Sequence, residues 1–374
     1  NEAFSAKFGN EPVVLTYLSS MYVNGIATDG IRPWYDNKKI KVYYCVQTWE
    51  GEGQWRNSSL DELGLYPNEA HPTPASIHFS SIGTWSTGRH LPMAVIEDLE
   101  TSKTWYFQIE TSTNWHFEIG HRSAGYNYKN GGLFIHADGA DERFGNWSKK
   151  LSPGETFTSV PVSFGCCHGD FNDAIRELTK YRRNELKPQA AWEGEFPVVF
   201  NDYMNCLWGD PTKEKLLPLI DSAAQVGAEV FCIDAGWFGS RDVSWGKGLG
   251  DWEPSADRFG EEGLQGVLDY IKSKGMTPGI WLEIEVRGED SNLGEKPDSW
   301  FLMRNGQRVG GGQRWFLNFC NPDVREYIHS VIDRLTSMGV GFIKNDYNLC
   351  IGNGIDVGDD SPANALMQHN QTFY

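Results

Sequence analysis

The chain of 374 residues carries a formal net charge of −17 at pH 7, and 13% of its residues are aromatic. Its length predicts two or three domains, since a domain typically takes about 150 residues. The acidic charge argues against a nucleic-acid partner, because a phosphate backbone requires a basic patch. No apolar stretch approaches the roughly 18 residues of a membrane-spanning helix, so we expect no membrane partner.

The seven cysteines are odd in number, include the adjacent pair Cys166 and Cys167, and show no C-x-x-C spacing. We therefore predict neither a zinc site nor a disulfide framework. We expect no metal and no other cofactor. We expect a cytoplasmic location and keep secretion as the alternative.

Up to about residue 165 the pattern is typical of strands and turns. The segment 41–49 alternates in side-chain character, and segments 104–110 and 114–120 are predicted to form the two arms of a hairpin. Segment 155–165 adds a further strand. Together they predict an N-terminal antiparallel β-sandwich, followed by a helix at 170–186. Residues 187–192 are the predicted linker.

After the linker, apolar strand segments alternate with amphipathic helices. Glycine ends two of these helices, and Asn321 with Pro322 signals the start of the last one. The alternation predicts the first half of a (β/α)₈ barrel, strands one to four, or a small doubly wound sheet. We therefore expect a multidomain chain with a first domain at 1–186 and a barrel domain at 193–374. The predicted strands lie at 196–203, 228–239, 277–285 and 340–348.

Each of these four strands carries polar residues where it ends. In an extended strand alternate side chains share a face, so Lys344, Asp346 and Asn348 point the same way. Ligands of parallel sheets and barrels bind at the carboxyl ends of the strands. The sequence therefore predicts a binding site there, formed by Asp202, Asp234, Glu283, Glu285, Lys344 and Asp346.

Five short motifs carry a resemblance to a known family. They read IDAGWFG at 233–239, GDW at 250–252, WLEIE at 281–285, R to V at 314–324, and KNDYN at 344–348. From about residue 100 to its end the chain resembles glycoside hydrolase family thirty-six, the bacterial α-galactosidases. The order of the motifs is that of the family, and the set is specific although each motif alone is weak.

The resemblance implies a retaining exo-glycosidase that acts on terminal α-galactosides, with Asp346 as the nucleophile. Such an enzyme needs an ionised carboxylate beneath the anomeric carbon and a second carboxyl roughly 5 Å away. Lys344 would keep Asp346 ionised and can donate to a sugar hydroxyl. The expected substrate-binding residues are Asp234, Trp237, Trp252, Arg314, Lys344, Asn348, Tyr203, Glu283 and Glu285.

Structural roles compete with some of these assignments. Glu283 and Glu285 can equally serve as salt-bridge partners that hold the barrel together. Trp237 and Trp252 can equally be aromatic residues of the core or the rim.

The chain departs from the family pattern at three positions. Ala235 stands where the family has a second aspartate, Tyr203 where tryptophan is usual, and Ile284 where the family has proline. The loss of a sugar-contacting carboxylate removes hydrogen bonds that distinguish hydroxyl patterns. Specificity for galactose is therefore less secure than the reaction type, and α-N-acetylgalactosaminides are the second expected substrate.

Residues 193–374 are too few for a closed barrel of about 250 residues. We therefore expect the sequence to be part of a longer polypeptide, with the acid/base residue outside this chain. The expected partner is an oligosaccharide or glycoconjugate with terminal α-galactose or α-N-acetylgalactosamine, and a homo-oligomer is compatible with the resemblance.

Two other function classes stay open. The carboxylates with Lys344 can be interpreted as a magnesium site with a lysine base, as in barrels that stabilise enolates. The altered DAGW motif and the missing acid are also compatible with a non-catalytic carbohydrate-binding protein.

Overall fold

The computed structural model describes residues 11–26, 39–65, 74–121, 132–186, 196–352, 354–356 and 361–374. It divides into two compact units. The first contains Asn1–Gln189, Gly352–Thr372 and Tyr374, and the second contains Ala190–Ile351 and Phe373. The predicted linker at 187–192 lies outside the described residues, and the predicted domain limits at 186 and 193 stay a prediction.

The first unit is rich in antiparallel sheet. Five strands form one sheet in the order β11-β7-β6-β3-β4, four form another in the order β2-β9-β8-β5, and β1 pairs with β10. The strands are β1 (Val13–Leu15), β2 (Met21–Ile26), β3 (Ile40–Val46), β4 (Gln54–Ser59), β5 (Ala75–Ser81), β6 (His90–Asp98), β7 (Lys103–Ile109), β8 (Trp115–His121), β9 (Leu133–Gly139), β10 (Lys149–Leu151) and β11 (Val162–His168).

The two larger sheets share one hydrophobic core, to which alternate residues of their strands contribute. Phe107 of β7 and Phe117 of β8 meet edge to face with their ring centroids 5.0 Å apart. The predicted hairpin is therefore wrong, because β7 pairs with β6 and β11 whereas β8 pairs with β5 and β9. Both strands have the same alternating pattern, and that pattern does not distinguish strands side by side in one sheet from strands facing each other across a core.

The helix predicted after these strands is present as α1 (Phe171–Tyr181), which continues as a wider π-helical turn over Arg182–Leu186. Asp170 caps its start: its side chain accepts from the backbone N–H of Asp173, whose own side chain accepts from the backbone of Asp170. Phe171 stacks on Tyr43 of β3, with ring centroids 4.5 Å apart, and so holds α1 against the five-stranded sheet. A second helix, α6, spans Pro362–Phe373, and all of it except Phe373 belongs to this unit.

The second unit contains an open parallel sheet of four strands in the order β12-β13-β14-β20. Helices lie between successive strands along the chain. The strands are β12 (Val199–Asn201), β13 (Val230–Ile233), β14 (Thr277–Leu282) and β20 (Phe342–Asn345). The helices are α2 (Lys213–Gln225), α3 (Ala256–Phe259), α4 (Gly263–Ser273) and α5 (Pro322–Ser337). Short antiparallel strands between β14 and α5 are β15 (Val286–Gly288), β16 (Met303–Arg304), β17 (Gln307–Arg308), β18 (Gly310–Gly311) and β19 (Arg314–Phe316).

The predicted strands and helices of this unit are all present, with boundaries shifted by a few residues. The start of α5 is the one that the sequence predicted: the side chain of Asn321 accepts from the backbone N–H of Asp323, and Pro322 occupies the first turn. Since all four strands run in parallel, their carboxyl ends meet at one edge of the sheet. None of the helices in the described ranges is long and apolar enough to cross a membrane.

Candidate active site

The polar residues predicted to share one edge of the parallel sheet do converge there. Trp281 of β14 is opposite Lys344 of β20, and Asn201 of β12 is opposite Cys232 of β13. Asp234 follows β13 and Asp346 follows β20, the two strands on either side of β14, so both residues lie at the same edge of the sheet. We call the group formed by Asp202, Asp234, Glu283, Lys344 and Asp346 the strand-end site.

Lys344 and Asp234 form an ion pair, with Nζ 2.8 Å from Oδ2. The same carboxylate oxygen accepts from Nδ2 of Asn201 at 2.5 Å. Burial by itself lowers the pKa of Lys344, but the hydrogen bond and the charge of Asp234 outweigh it, so that this pKa is raised. The Lys344 side chain is 40% exposed while that of Asp234 is 3% exposed. The ammonium group is thus fixed by a buried carboxylate and remains accessible to a ligand.

Asp346 is half-buried, and two N–H donors hold one of its oxygens. Oδ2 accepts from Nε1 of Trp281 at 3.0 Å and from Nδ2 of Asn348 at 2.9 Å. Among the described residues, Oδ1 accepts one longer hydrogen bond, of 3.2 Å, from the backbone N–H of Tyr347. The backbone N–H of Asp346 donates to the carbonyl of Leu282 at 2.7 Å, which ties the residue to β14. The carboxylate is therefore held in place with one oxygen more weakly bound.

Glu283 is fully buried and pairs with Arg314, whose Nη1 is 3.0 Å from both carboxylate oxygens. Burial raises the pKa of Glu283, and the positive charge of Arg314 opposes that rise. The Arg314 guanidinium also lies over the ring of Trp245, 5.1 Å from its centroid. The contacts of Glu283 are thus those of a salt-bridge partner, the alternative role. A role of Glu283 in substrate binding stays a prediction.

Glu285 is also fully buried, and neither of its carboxylate oxygens has a hydrogen-bond partner among the described residues. Burial, and after it the charge of Glu283, raises the pKa of Glu285 well above its ordinary value. Burial therefore favours the neutral form of this carboxyl group. As placed, it is out of reach of a ligand, so its assignment to the substrate-binding set stays untested.

Trp237 and Trp252 are fully buried and stack on each other with centroids 6.2 Å apart. Nε1 of Trp237 donates to the carbonyl of Trp281 at 2.8 Å. The two rings thus pack behind Trp281, which is the arrangement expected of core aromatics. Tyr203 is half-buried and lies beside the ring of Trp245, with centroids 6.0 Å apart.

Trp281 was not among the predicted site residues, and Asp202 was predicted at the strand ends but not as a substrate-binding residue. Trp281 is 1% exposed and contacts Asp346 directly. Asp202 is 2% exposed, and its Oδ1 accepts from the backbone N–H of Asp234 at 2.8 Å. Burial raises the pKa of Asp202 to about 7. The signal for both was their position at the end of a strand next to Asp234 or Asp346.

Cationic side chains face the carboxylates of the strand-end site: Lys344 faces Asp234, and Arg314 faces Glu283. The two cations offset the charges of Asp234 and Glu283 within the protein, and this pairing differs from the shared ion of the enolate-stabilising alternative. It presents a fixed carboxylate, an accessible ammonium group and an amide to a polar neutral ligand.

Comparison with known proteins identifies the family. The Melibiase family model matches residues 157–373, more than half of the chain. "Alpha-galactosidase 1" of Pediococcus pentosaceus is 31% identical over 210 residues, which cover 54% of this chain and 28% of that protein. "Probable alpha-galactosidase C" of Aspergillus terreus is 26% identical over 384 residues, which cover 92% of this chain and 50% of that protein. The chain thus spans half or less of the length of these curated relatives.

Solved structures share the fold. The family 36 α-galactosidase AgaA from Geobacillus stearothermophilus matches with a TM-score of 0.78 and 20% identity, covering 97% of this chain and 48% of that one. The galactosidase domain of the α-galactosidase-sucrose kinase AgaSK matches with a TM-score of 0.78 and 19% identity, covering 98% of this chain and 46% of that one. The resemblance to glycoside hydrolase family thirty-six is confirmed, and the chain belongs to the Melibiase family.

Proposed function

We propose that the protein hydrolyses terminal α-galactosides by double displacement, with Asp346 as the nucleophile. The observation that carries this proposal is the Asp346 carboxylate, which Trp281 and Asn348 hold at Oδ2 while Oδ1 is more weakly bound. A nucleophile needs a fixed position and a free lone pair, and this geometry offers both. The names of the relatives, α-galactosidases, supply the substrate class.

In the first step an Asp346 oxygen, Oδ1 in this proposal, forms a bond to the anomeric carbon. The bond between that carbon and the leaving oxygen breaks, and a second carboxyl group gives the leaving oxygen a proton. In the second step water attacks the same carbon, the carboxylate that lost its proton accepts one from the water, and Asp346 is released. The configuration at the anomeric carbon is retained because it is inverted twice.

Neither Glu283 nor Glu285 is suited to the role of the second carboxyl group. Both sense the charge of Asp346, but Glu283 is paired with Arg314 and Glu285 is fully buried. An acid/base group must reach both the leaving oxygen and a water molecule. Neither glutamate can do so in its present place.

Lys344 and Asp234 form the proposed recognition pair for sugar hydroxyls. The Lys344 ammonium group, 40% exposed, has donors to spare beyond the one that Asp234 accepts. We also propose that the four parallel strands are the first half of a (β/α)₈ barrel. This is supported by their sequential order, by the helices between them and by the shared fold of the solved relatives.

Ala235 bears on the choice of sugar. It is 2% exposed and follows Asp234, at the position where the family has a second aspartate. Its methyl group cannot accept from a sugar hydroxyl, so this site offers fewer hydrogen bonds to distinguish galactose from N-acetylgalactosamine. Both α-glycosides therefore belong in the first assay.

The test measures release of the aglycone from aryl α-galactosides and aryl α-N-acetylgalactosaminides by the intact protein, and by its Asp346→Ala variant. The variant should lose activity by about 10³-fold or more, and sodium azide should restore aglycone release with a β-glycosyl azide as the product. Asp269→Ala is the control, since the Asp269 side chain is 61% exposed on α4, and it should retain activity.

Cleavage by the Asp346→Ala variant at the rate of the wild type would contradict the nucleophile assignment. If the intact protein binds galactose but cleaves neither glycoside, the carbohydrate-binding alternative is favoured. Preferential cleavage of the N-acetylgalactosaminide would keep the mechanism and change the substrate.

A further inference from the structure

A second group of ionisable side chains lies in the first unit, on the four-stranded sheet. In β8, Phe117 and Ile119 belong to the hydrophobic core, so that His116 and Glu118 point to the opposite face of the sheet. On the neighbouring strand β9, His136 is directly across from Glu118. We call His116, Glu118 and His136 the His-Glu cluster. Strand register alone brings its three members together.

The proton of His116 is located by its contacts. Its Nδ1 is 2.9 Å from the carbonyl oxygen of Gly139, and a carbonyl only accepts, so Nδ1 carries the hydrogen. Nε2 is then left with a lone pair. The residue is fully buried, and this nitrogen has no hydrogen-bond partner among the described residues. A histidine that ligates a metal usually has this arrangement, with its other ring nitrogen donating to a backbone carbonyl.

His136 presents a second buried nitrogen. The residue is 2% exposed and its Nε2 is 3.1 Å from the Tyr17 hydroxyl, while its Nδ1 has no partner in the described part of the chain. If Nε2–H donates to that hydroxyl, Nδ1 holds a lone pair. Two unpartnered imidazole nitrogens in one buried cluster are unfavourable unless a further group satisfies them.

The charges around the cluster favour a cation. Glu118 Oε1 is 2.7 Å from Nη2 of Arg143, and the same Nη2 is 3.2 Å from Oδ2 of Asp141. Asp141 Oδ2 in turn is 3.4 Å from Nε2 of His116. Two carboxylates thus face one guanidinium group, whose side chain is 52% exposed and can turn outward. When the histidines are neutral, Glu118, Asp141 and Arg143 together carry a negative formal charge.

We propose that His116, Glu118 and His136 bind one divalent transition-metal ion, Zn²⁺ being the ion that this donor set fits. One ligand atom of each residue lies within 4.8 Å of the other two. Two imidazole nitrogens and a carboxylate oxygen are a zinc donor set, with bonds of about 2.0–2.2 Å, so the side chains would move closer around the ion. Asp141, beside His116, can fill the fourth position. Such an ion would stabilise the first unit, whereas the residues of the proposed glycosidase site belong to the second.

The competing interpretation has no ion: His116 takes a second proton and pairs with Asp141 through the 3.4 Å contact. The test uses the intact protein, dialysed against EDTA and then titrated with Zn²⁺ by calorimetry, with bound metal counted by mass spectrometry. Co²⁺ is the second probe, because its visible spectrum reports nitrogen and oxygen ligands without any mutation. We expect one equivalent of Zn²⁺, an increase in Tm on binding, and a Co²⁺ spectrum typical of four-coordinate geometry.

His116→Gln and His136→Gln should each weaken Zn²⁺ binding at least tenfold and remove the increase in Tm. His121→Gln is the matched control: His121 ends the same strand, is buried, and also has an unpartnered Nε2 within the described residues, but lies outside the cluster. Circular dichroism verifies that each variant folds. If one of the variants does not fold, the Co²⁺ spectrum of the unmutated protein tests the metal site in its place. Absence of stoichiometric binding by wild type overturns the proposal, as does binding that survives both cluster variants or is lost equally in His121→Gln.

Discussion

The two N–H donors that hold Asp346 come from different parts of the chain. Asn348 lies two residues further along the segment that follows β20, whereas Trp281 belongs to the strand β14. A hydrogen bond to a charged acceptor is typically worth about 1.5–3 kcal/mol. Either donor therefore stabilises the position of the carboxylate by an amount that a rate measurement can detect.

Trp281→Phe removes the indole N–H and keeps most of the ring. We expect kcat/KM on an aryl α-galactoside to fall by roughly ten- to a hundredfold, because the carboxylate loses one of its two fixed donors. The folded structure should persist, since the phenyl ring still packs among Phe238, Trp245 and Trp252. Steady-state kinetics with circular dichroism is the measurement.

Trp300→Phe is the control for the loss of a buried tryptophan in the same unit, since Trp300 is 7% exposed and belongs to a separate cluster around α5. It should leave kcat/KM within about twofold of wild type. Equal losses in both variants would show that the effect of Trp281→Phe is one of packing, and would contradict the positioning role.

Asp202 provides a prediction for the dependence of stability on pH. Its pKa of about 7, raised from 3.8 by burial, means that the folded state holds a proton that the unfolded chain releases near pH 4. Stability from this group is complete below pH 4 and is lost as the pH rises through 7, by up to about 1.4 kcal/mol per pH unit. Asn at 202 mimics the protonated acid and cannot ionise. Asp202→Asn should thus match wild type below pH 4 and exceed it in Tm by a margin that grows until about pH 7.

The quantity to follow is the difference in Tm between Asp202→Asn and wild type from pH 5 to 8, so that titrations common to both proteins cancel. Asp269→Asn, on the exposed side of α4, should show a difference that does not vary with pH. A constant difference for Asp202→Asn as well would mean that this carboxyl is ionised throughout the range, and the buried, protonated state would be wrong.

Sequence reasoning at this scale worked for residues on one strand. Alternation along the strand predicted at 340–348 placed Lys344, Asp346 and Asn348 on a shared face. The contacts of all three lie within the strand-end site, although β20 itself ends at Asn345. The direct partner of Lys344, however, is Asp234, and the donors to Asp346 include Trp281. Such pairings depend on which strands are neighbours and in what register, and side-chain alternation contains no information on either.

At the scale of elements, the turn after β13 depends on one glycine. Gly236 has a φ of +99°, and a Cβ there would overlap the backbone carbonyl of Gly209. Gly227, just after α2, has a similar φ of +86° but nothing within 4 Å of an added Cβ. The pair therefore separates the cost of the backbone conformation from the cost of a steric clash.

Gly227→Ala should lower the free energy of unfolding by about 1–2 kcal/mol, the cost of a left-handed conformation. Gly236→Ala should lower it by about 2 kcal/mol or more beyond that, because backbone atoms must also move. It should also reduce kcat, since the turn positions Asp234. Urea unfolding midpoints measure both variants, and equal losses would contradict the close approach of the two backbone segments.

Element types could be predicted better than their neighbours. The helix starts at Asp170 and Asn321 follow from local capping chemistry, which a sequence displays directly. The hairpin predicted from 104–110 and 114–120 failed because β7 and β8 face each other across a core. The His-Glu cluster was not predicted for a related reason. Its residues lie on two strands whose pairing the sequence does not show, and the spacing of cysteines gives no information on histidines and glutamates.

At the scale of the whole molecule, the two units contain chemically different sites. The His-Glu cluster in the first unit has unpartnered nitrogens among the described residues, as a metal site requires. In the second unit, Lys344 pairs with Asp234 and Arg314 pairs with Glu283. Family membership and motif order could be predicted from sequence, because the five motifs are short and local. Which unit would respond to a metal could not be predicted, because that depends on burial and on unpaired atoms.

Chelation should separate the two sites. Dialysis against EDTA is expected to lower the Tm of the intact protein, because the ion binds the folded state of the first unit, and stoichiometric Zn²⁺ should restore it. Initial rates on an aryl α-galactoside at 25 °C should stay within about twofold, because the proposed displacement uses carboxyl groups and no Lewis acid. Rates and Tm are measured on the same samples, with circular dichroism to establish that the chelated protein is folded. A folded, chelated protein that loses its activity and regains it with Mg²⁺ would contradict the double displacement and favour the enolate-stabilising alternative, in which a metal ion is part of the reaction.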